Sequence, residues 1–252
     1  MKQIIAGWLL AAGMLLPLSA ATRTDVNIIE ATEDIRFLSQ EITKNYLYLY
    51  ANPRKTDIAR EIRKELDRLV KSIRTISIST DSEDTKNILE FLIYSKNQIE
   101  ELIKAKPDKE KAALMLDYSE TLLEGANSIA REYTYRFTES EKMLIKSKQI
   151  EFLVERSAKY YMALEIGLND EVNRRQMMQA MEELEGDLQT VESYPYPKSM
   201  APYKERLMRA WSVTRSLIDR REKLFASNLL VLAGNETEQV AQQFVLYHRK
   251  AK

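Results

Sequence analysis

The chain has 252 residues, with 38 Lys and Arg balancing 38 Asp and Glu, one histidine and no cysteine. Acids and bases interleave at helical spacing, which argues against nucleic acid or a strongly charged partner. The missing cysteine excludes disulfides, a thiol nucleophile and any thiolate metal site.

Met1 to Ala21 reads as a secretory leader. Lys2 opens it, Ile4 to Leu18 is its apolar core, and Ser19-Ala20-Ala21 offers small residues for cleavage. The core is short of the about 20 residues that a comfortable membrane span needs. Cleavage after Ala21 is the expected outcome, with an uncleaved N-terminal anchor as the alternative. No other stretch is apolar enough to span, so the reading is an exported, periplasmic or secreted chain with no transmembrane segment.

From Asn27 to Asn52, residues Ile28, Ala31, Ile35, Leu38, Ile42, Asn45 and Leu49 recur at spacings of three and four. That period is helical, and a helix this long with one apolar stripe needs helical neighbours. Asn52-Pro53 turns the chain, and Ile58, Ile62, Leu66, Leu69, Ile73 and Ile76 stripe a second helix. Ser79-Thr80-Asp81-Ser82 ends it, with Ser82 or Asp81 as the next N-cap. Ile88, Leu89, Leu92, Ile99, Leu102 and Ile103 face a third helix inward. After Lys106-Pro107, Asp108 caps a fourth helix through Leu114, Leu122 and Ile129. Tyr133 to Glu141 contains neither Gly nor Pro, so the chain either kinks there or runs on as one connector.

The pattern then returns. With an offset of 115 residues, Ile35 falls on Ile150, Phe37 on Phe152, Leu38 on Leu153, Lys44 on Lys159 and Tyr46 on Tyr161. A helix runs from Phe137 to Gly167, a joint follows at Leu168-Asn169-Asp170, and Met177, Met181 and Leu188 stripe the next helix. Ser193 to Pro202 is the clearest loop. Leu207, Trp211, Leu217 and Leu224 then mark a helix, and a last one starts near Ser227. Few glycines and prolines after the leader mean long helices with short joints. The expected fold is all-α: a leader over 1–21, then two tandem up-down-up-down antiparallel four-helix bundles over 22–135 and 136–252.

Arg36-Phe37-Leu38-Ser39-Gln40, then Lys44 and the run Tyr46-Leu47-Tyr48-Leu49, resemble the first-helix box of the PilJ/NarX-type sensor domain of type IV pilus chemotaxis transducers. Leu116 to Leu123 is similar to that family's fourth-helix segment. In the second copy Leu153, Glu155-Arg156, Ala158-Lys159 and Tyr161 to Leu168 resemble the same first-helix box. The resemblance implies a four-helix bundle that senses small ligands outside the cytoplasm, with an arginine of the box binding nitrate across a dimer. It places that role on Arg36, with Ser39 and Gln40 beside it as ligand-binding residues. The family's second arginine falls on Glu41 here; in the second copy Glu151 takes the ligand-arginine position and Arg156 the other.

Pairing of the two copies within one chain would set Arg36 against Glu151 and cancel the field an anion needs. Pairing of two chains through their first copies, as a homodimer, would let two Arg36 side chains converge. From the residues alone, Arg36 reads as a flanking cation that pairs with Glu33 or Gln40. Tyr46 and Tyr50 share a face that can wall a pocket, but such rings more often fill a core. Tyr194 and Tyr196 read as loop rings available to a partner, and Met177, Met178 and Met181 as core packing.

Enzymatic chemistry finds little footing. His248 sits in the basic run HRKAK, so no His-based metal cluster or triad forms. Glu182-Glu183 and Glu100-Glu101 are adjacent and point apart, and there is no Gly-rich phosphate loop. No cofactor is expected. Two functions fit: a sensory, ligand-binding protein for a small anion such as nitrate, acting through a protein partner because no signalling region is recognised; or a ligand-free adaptor of the cell envelope or pilus machinery.

Overall fold

The computed structural model describes residues 23–133, 137–168, 171–220 and 227–250. The leader, the expected split near Tyr135, Asn169-Asp170 and Leu224 lie outside them. All regular structure among the described residues is helical: α1 Arg23–Ala51, α2 Thr56–Ser79, α3 Glu83–Lys104, α4 Lys109–Glu132, α5 Glu139–Glu165, α6 Glu171–Ser193, α7 Ala201–Asp219 and α8 Ser227–Lys250. A 3-10 turn, Lys198–Met200, precedes α7. None of these helices is long and apolar enough to cross a membrane.

Helix starts follow local chemistry. Ser82, not Asp81, caps α3 by accepting from Thr85 N, and Asp108 caps α4 by accepting from Lys111 N at 2.9 Å. Thr138 and Glu141 close a reciprocal capping box at the start of α5. That box needs an extended residue at Thr138, so α4 and α5 are separate helices rather than one connector. Gly167 ends the following turn at φ 82°, a left-handed conformation that costs glycine little. Pro202 sits in the first turn of α7, so the helix begins inside the segment expected to be loop.

The eight helices pack around α1 and α5. Helix α1 lies against α2, α4 and α5; α5 lies against α1, α6 and α8; α3 rests on α4, and α7 on α8. Displaced by 115 residues, α1 falls on 138–166, α2 on 171–194, α3 on 198–219 and α4 on 224–247. Those spans coincide with α5, α6, the 3-10 turn plus α7, and α8 to within about three residues.

One consequence departs from the single-stripe expectation. Because α1 has neighbours on three sides, Phe37, Thr43, Lys44, Leu47 and Tyr48 are buried along with the stripe of Ile28, Ile35, Leu38 and Ile42. Helix α5 is enclosed in the same way: Phe152 and Tyr160 are buried beside Ile150, Leu153 and Tyr161. The outer helices show the opposite. Ile88, Leu102 and Ile103 on α3 are only partly buried, Phe91 and Tyr94 on the same helix are exposed, and Leu114 on α4 is 38 % exposed. Where α3 meets α4, a methyl group added at Gly125 would stand 2.5 Å from Leu92 Cδ2, so glycine permits that approach.

The C-terminal residues also depart from expectation. His248 is fully buried within α8, where Tyr196 Oη lies 2.8 Å from Nε2 and Ser140 Oγ 3.2 Å from Nδ1. Tyr194 and Tyr196 pack edge-on against His248, and Tyr196 against Phe244. The ring faces that a loop reading leaves for a partner are spent within the fold.

Candidate functional site

The polar groups of α1 and α5 are concentrated where these helices meet. Arg36 is partly buried, its NH1 donates to Glu33 Oε1 at 2.8 Å, and its guanidinium lies 4.6 Å from the centroid of the Phe152 ring. Arg36 therefore takes the Glu33 partner the sequence offered. Ser39 and Gln40 are fully buried: Ser39 Oγ donates to the Arg36 carbonyl and accepts from Gln40 Nε2, both at 2.7 Å. Arg156 NH1 stands 3.4 Å from Gln40 Oε1. The three expected ligand residues are thus neighbours on one helix, joined to each other and to α5.

Further along the seam, Lys44 Nζ stands 2.7 Å from Glu155 Oε2, with both side chains almost fully enclosed. The contact is an ion pair rather than an aligned hydrogen bond, and Glu155 Oε1 has no hydrogen-bond partner. Glu41, Glu65 and Glu238 add their charge from α1, α2 and α8. Asn45 donates to Glu65 Oε1 at 2.6 Å, and Arg68 reaches Glu41 at 3.3 Å. Burial, reinforced by Glu155, pushes Glu41 up to about 7; burial and Glu41 push Glu65 to about 8; burial and Glu155 push Glu238 to about 8. Burial alone would lower the Lys44 ammonium, but Glu155 and Glu41 hold it above the usual lysine range.

The equivalent lysine of the second helix meets other company. Lys159 is fully buried, 2.5 Å from Glu120 Oε1 and 3.0 Å from Ser119 Oγ. Arg156 grips both oxygens of Glu120, at 3.1 and 3.0 Å, and donates to Gln176 at 2.7 Å. Burial would raise Glu120, but Lys159 and Arg156 hold it down at about 2. Burial lowers Lys159 to about 8 against the pull of Glu120.

A cavity of about 210 Å³ opens between α1, α2, α5 and α8, lined by Glu33, Phe37, Arg68, Lys148, Glu151 and Arg249 among others. Lys148 pairs with Asp34 at 2.5 Å, and Arg249 with Glu30 at 3.4 Å. Glu151, at the sequence position equivalent to Arg36, lies on this cavity, while Arg36 turns to Glu33 and Phe152. The Arg36–Glu151 opposition expected from pairing of the copies is therefore not the contact that forms. Burial pushes the Glu151 carboxyl up to about 7, against the pull of Lys148.

A second hollow, about 370 Å³, lies between α6 and α7 and is lined by Met177, Met178, Met181, Arg174 and Arg215. Met177 and Met181 are buried, as core packing requires, but Met178 is 62 % exposed. Tyr46 is fully enclosed and belongs to the core. Among the described residues no group of three or more His, Asp or Glu side chains is placed to hold a metal ion.

Period reading missed Glu155, Glu120 and Glu65, because it treats charges beside a stripe as solvated. The signal available was the recurrence of a lysine, Lys44 and Lys159, at the 115-residue displacement that also relates Phe37 to Phe152. No protein-family model, curated protein or solved structure matches the chain.

Proposed function

We propose that the protein is an exported, non-enzymatic binding module: two tandem four-helix bundles of the PilJ/NarX sensor kind, paired within one chain through α1 and α5. The observation that carries this reading is the common displacement of 115 residues relating α1–α4 to α5–α8, with the two first helices side by side. Two bundles pairing through their first helices make a pseudo-dimer, and the seam between them is where a ligand meets both halves. Any signal then passes to a protein partner in the envelope. Small-angle scattering should give a compact particle with the two halves side by side; an extended rod would overturn the arrangement. Thermal-shift screening against nitrate, other small anions and small metabolites should show at least one stabilising ligand.

The adaptor reading keeps the same architecture without a ligand, and a specific contact favours it over an anion sensor. Arg36 is neutralised by Glu33, and Ser39 and Gln40 are sealed against each other. Nitrate calorimetry on the parent and on Arg36→Ala separates the two. Binding that Arg36→Ala abolishes supports the anion site. No response to any small molecule, with recovery of a stable partner from envelope extracts, supports the adaptor.

A further inference from the structure

The polar groups around the cavity between α1, α2, α5 and α8 are unevenly satisfied. Its three cations are engaged: Lys148 with Asp34 and the Glu30 carbonyl, Arg249 with Glu30, and Arg68 with Glu41 and the Phe37 ring at 5.6 Å. Two of its acceptors are not. Glu33 is 5 % exposed and spends only Oε1 on Arg36, which leaves buried Oε2 without a hydrogen-bond partner; Glu151 Oε1 is likewise buried and unpartnered. A buried acceptor left unpaired is destabilising, and more so when charged. Glu33 and Glu151 both line this cavity, from α1 and α5, so its wall holds two carboxyls that each lack an N–H donor on one oxygen.

We infer that this cavity binds the ammonium group of a small organic amine, with Glu33 and Glu151 as its acceptors. The inference rests on the binding-module reading and supplies its ligand class. An ammonium brings three donors and one charge, which suits two carboxylates on facing helices. Arg68 and Arg249, with side chains 53 % and 50 % exposed, are positioned to receive a carboxylate when the amine also carries one, as an amino acid does. Glu151 also gives a pH signature. Facing Glu33 and Asp34 on α1, Arg68 on α2, Lys148 on α5, and Glu238 and Arg249 on α8, it takes up a proton near pH 7 in the empty cavity. A bound ammonium opposes that proton, so affinity should fall as pH drops from 8 to 6.

The test is calorimetry and thermal shift on the full chain with methylammonium and putrescine, with glycine and L-alanine, and with acetate and nitrate as anions lacking an amine. Binding of the amines or the amino acids is expected, weakened at least tenfold by Glu151→Gln and unchanged by Asp117→Asn, a carboxylate of a different hollow. Amino acids binding more tightly than amines, with the difference lost in Arg249→Ala, would assign the carboxylate to the mouth. If Glu151→Gln fails to fold, Glu151→Asp, one methylene shorter, should give the same loss. No binding by any ammonium compound, or binding unaffected by the Glu151 variants, overturns the inference. A compact particle that binds nitrate through Arg36 but no amine would overturn it while leaving the binding-module reading intact.

Discussion

Lys44 and Lys159 occupy equivalent positions in the two central helices, both are buried, and each meets a carboxylate, yet their charge balance is reversed. Lys44 stands among Glu41, Glu65, Glu155 and Glu238, with Arg68 at the edge, so acids outnumber bases and three of the carboxyls are pushed up toward neutral pH. Lys159 shares Glu120 with Arg156, so bases outnumber the acid; the carboxyl is held at about 2 and the lysine drops to about 8. Two buried lysines 115 residues apart thus sit in two electrostatic settings. The cluster around Lys44 stores protons on its carboxyls near neutrality, whereas around Lys159 the carboxyl stays ionised across that range and the lysine is the group that titrates.

The largest effect is expected around Lys159. Glu120→Ala leaves Lys159 fully buried without a carboxylate and removes both Arg156 bonds, which should cost about 3–5 kcal/mol in denaturant unfolding at pH 7. Lys44→Met is milder and depends on pH. At pH 8 it leaves Glu155 buried without its cation, costing about 2–4 kcal/mol. At pH 5 the neighbouring acids are protonated, their repulsion of Glu155 is gone, and the loss should be smaller. Equal losses at both pH values would show that the acid cluster does not store protons.

The same acids make a prediction for the parent protein. Glu41, Glu65 and Glu238 have folded values above the unfolded 4.5, so the folded chain binds more protons than the unfolded chain between about pH 4.5 and 8. Their contribution is fully present below about pH 4.5 and is lost as pH rises through 7 and 8. Glu120 has the opposite sign: its contribution is present above 4.5 and is lost as pH falls toward 2. Glu65→Gln should therefore stabilise the protein by about 1 kcal/mol at pH 8 and leave it nearly unchanged at pH 5. Thermal melts at the two pH values read the difference.

Much of this fold is written in local pattern. The three- and four-residue stripes mark the helices, Ser82 and Asp108 mark two of their starts, and the Phe37–Phe152 and Lys44–Lys159 matches mark the 115-residue displacement. What pattern does not carry is the second buried face of α1 and α5. That face is set by the packing of helices more than 100 residues apart, and a period count assigns its charges to solvent. Lys44 meets Glu155 only because α1 and α5 lie side by side, and Lys159 meets Glu120 only because α4 comes to the same seam. Arg36, Ser39 and Gln40 were visible as a box and Glu33 as a partner for Arg36, but the closure by Phe152 was not. His248 looked like part of a basic tail because its neighbours in sequence are basic, whereas its partners come from Ser140 and Tyr196.

The smallest expected effect sharpens the comparison at the ends of α4 and α8. The 115-residue displacement puts Tyr133 opposite His248. Tyr133 Oη lies 2.5 Å from Thr80 Oγ1, tying α4 to the end of α2, and His248 ties α8 to Tyr196 and Ser140. Each closure rests on a hydrogen bond worth about 1 kcal/mol, so Tyr133→Phe and Tyr196→Phe should each destabilise by about that much at pH 8. Only one closure titrates. Burial lowers His248 below 6.5, so the unfolded chain takes up this proton first, and the histidine's contribution is present above 6.5 and lost as pH falls below it. Measured as unfolding free energies at pH 8 and pH 5, the cost of Tyr133→Phe should stay constant, while that of Tyr196→Phe should change with pH, because the neutral ring and the imidazolium use the Tyr196 hydroxyl in opposite directions, one accepting from it and the other donating to it. Identical pH behaviour in the two variants would mean that the ends of α4 and α8 are closed by the same kind of contact and that the asymmetry is confined to the lysines.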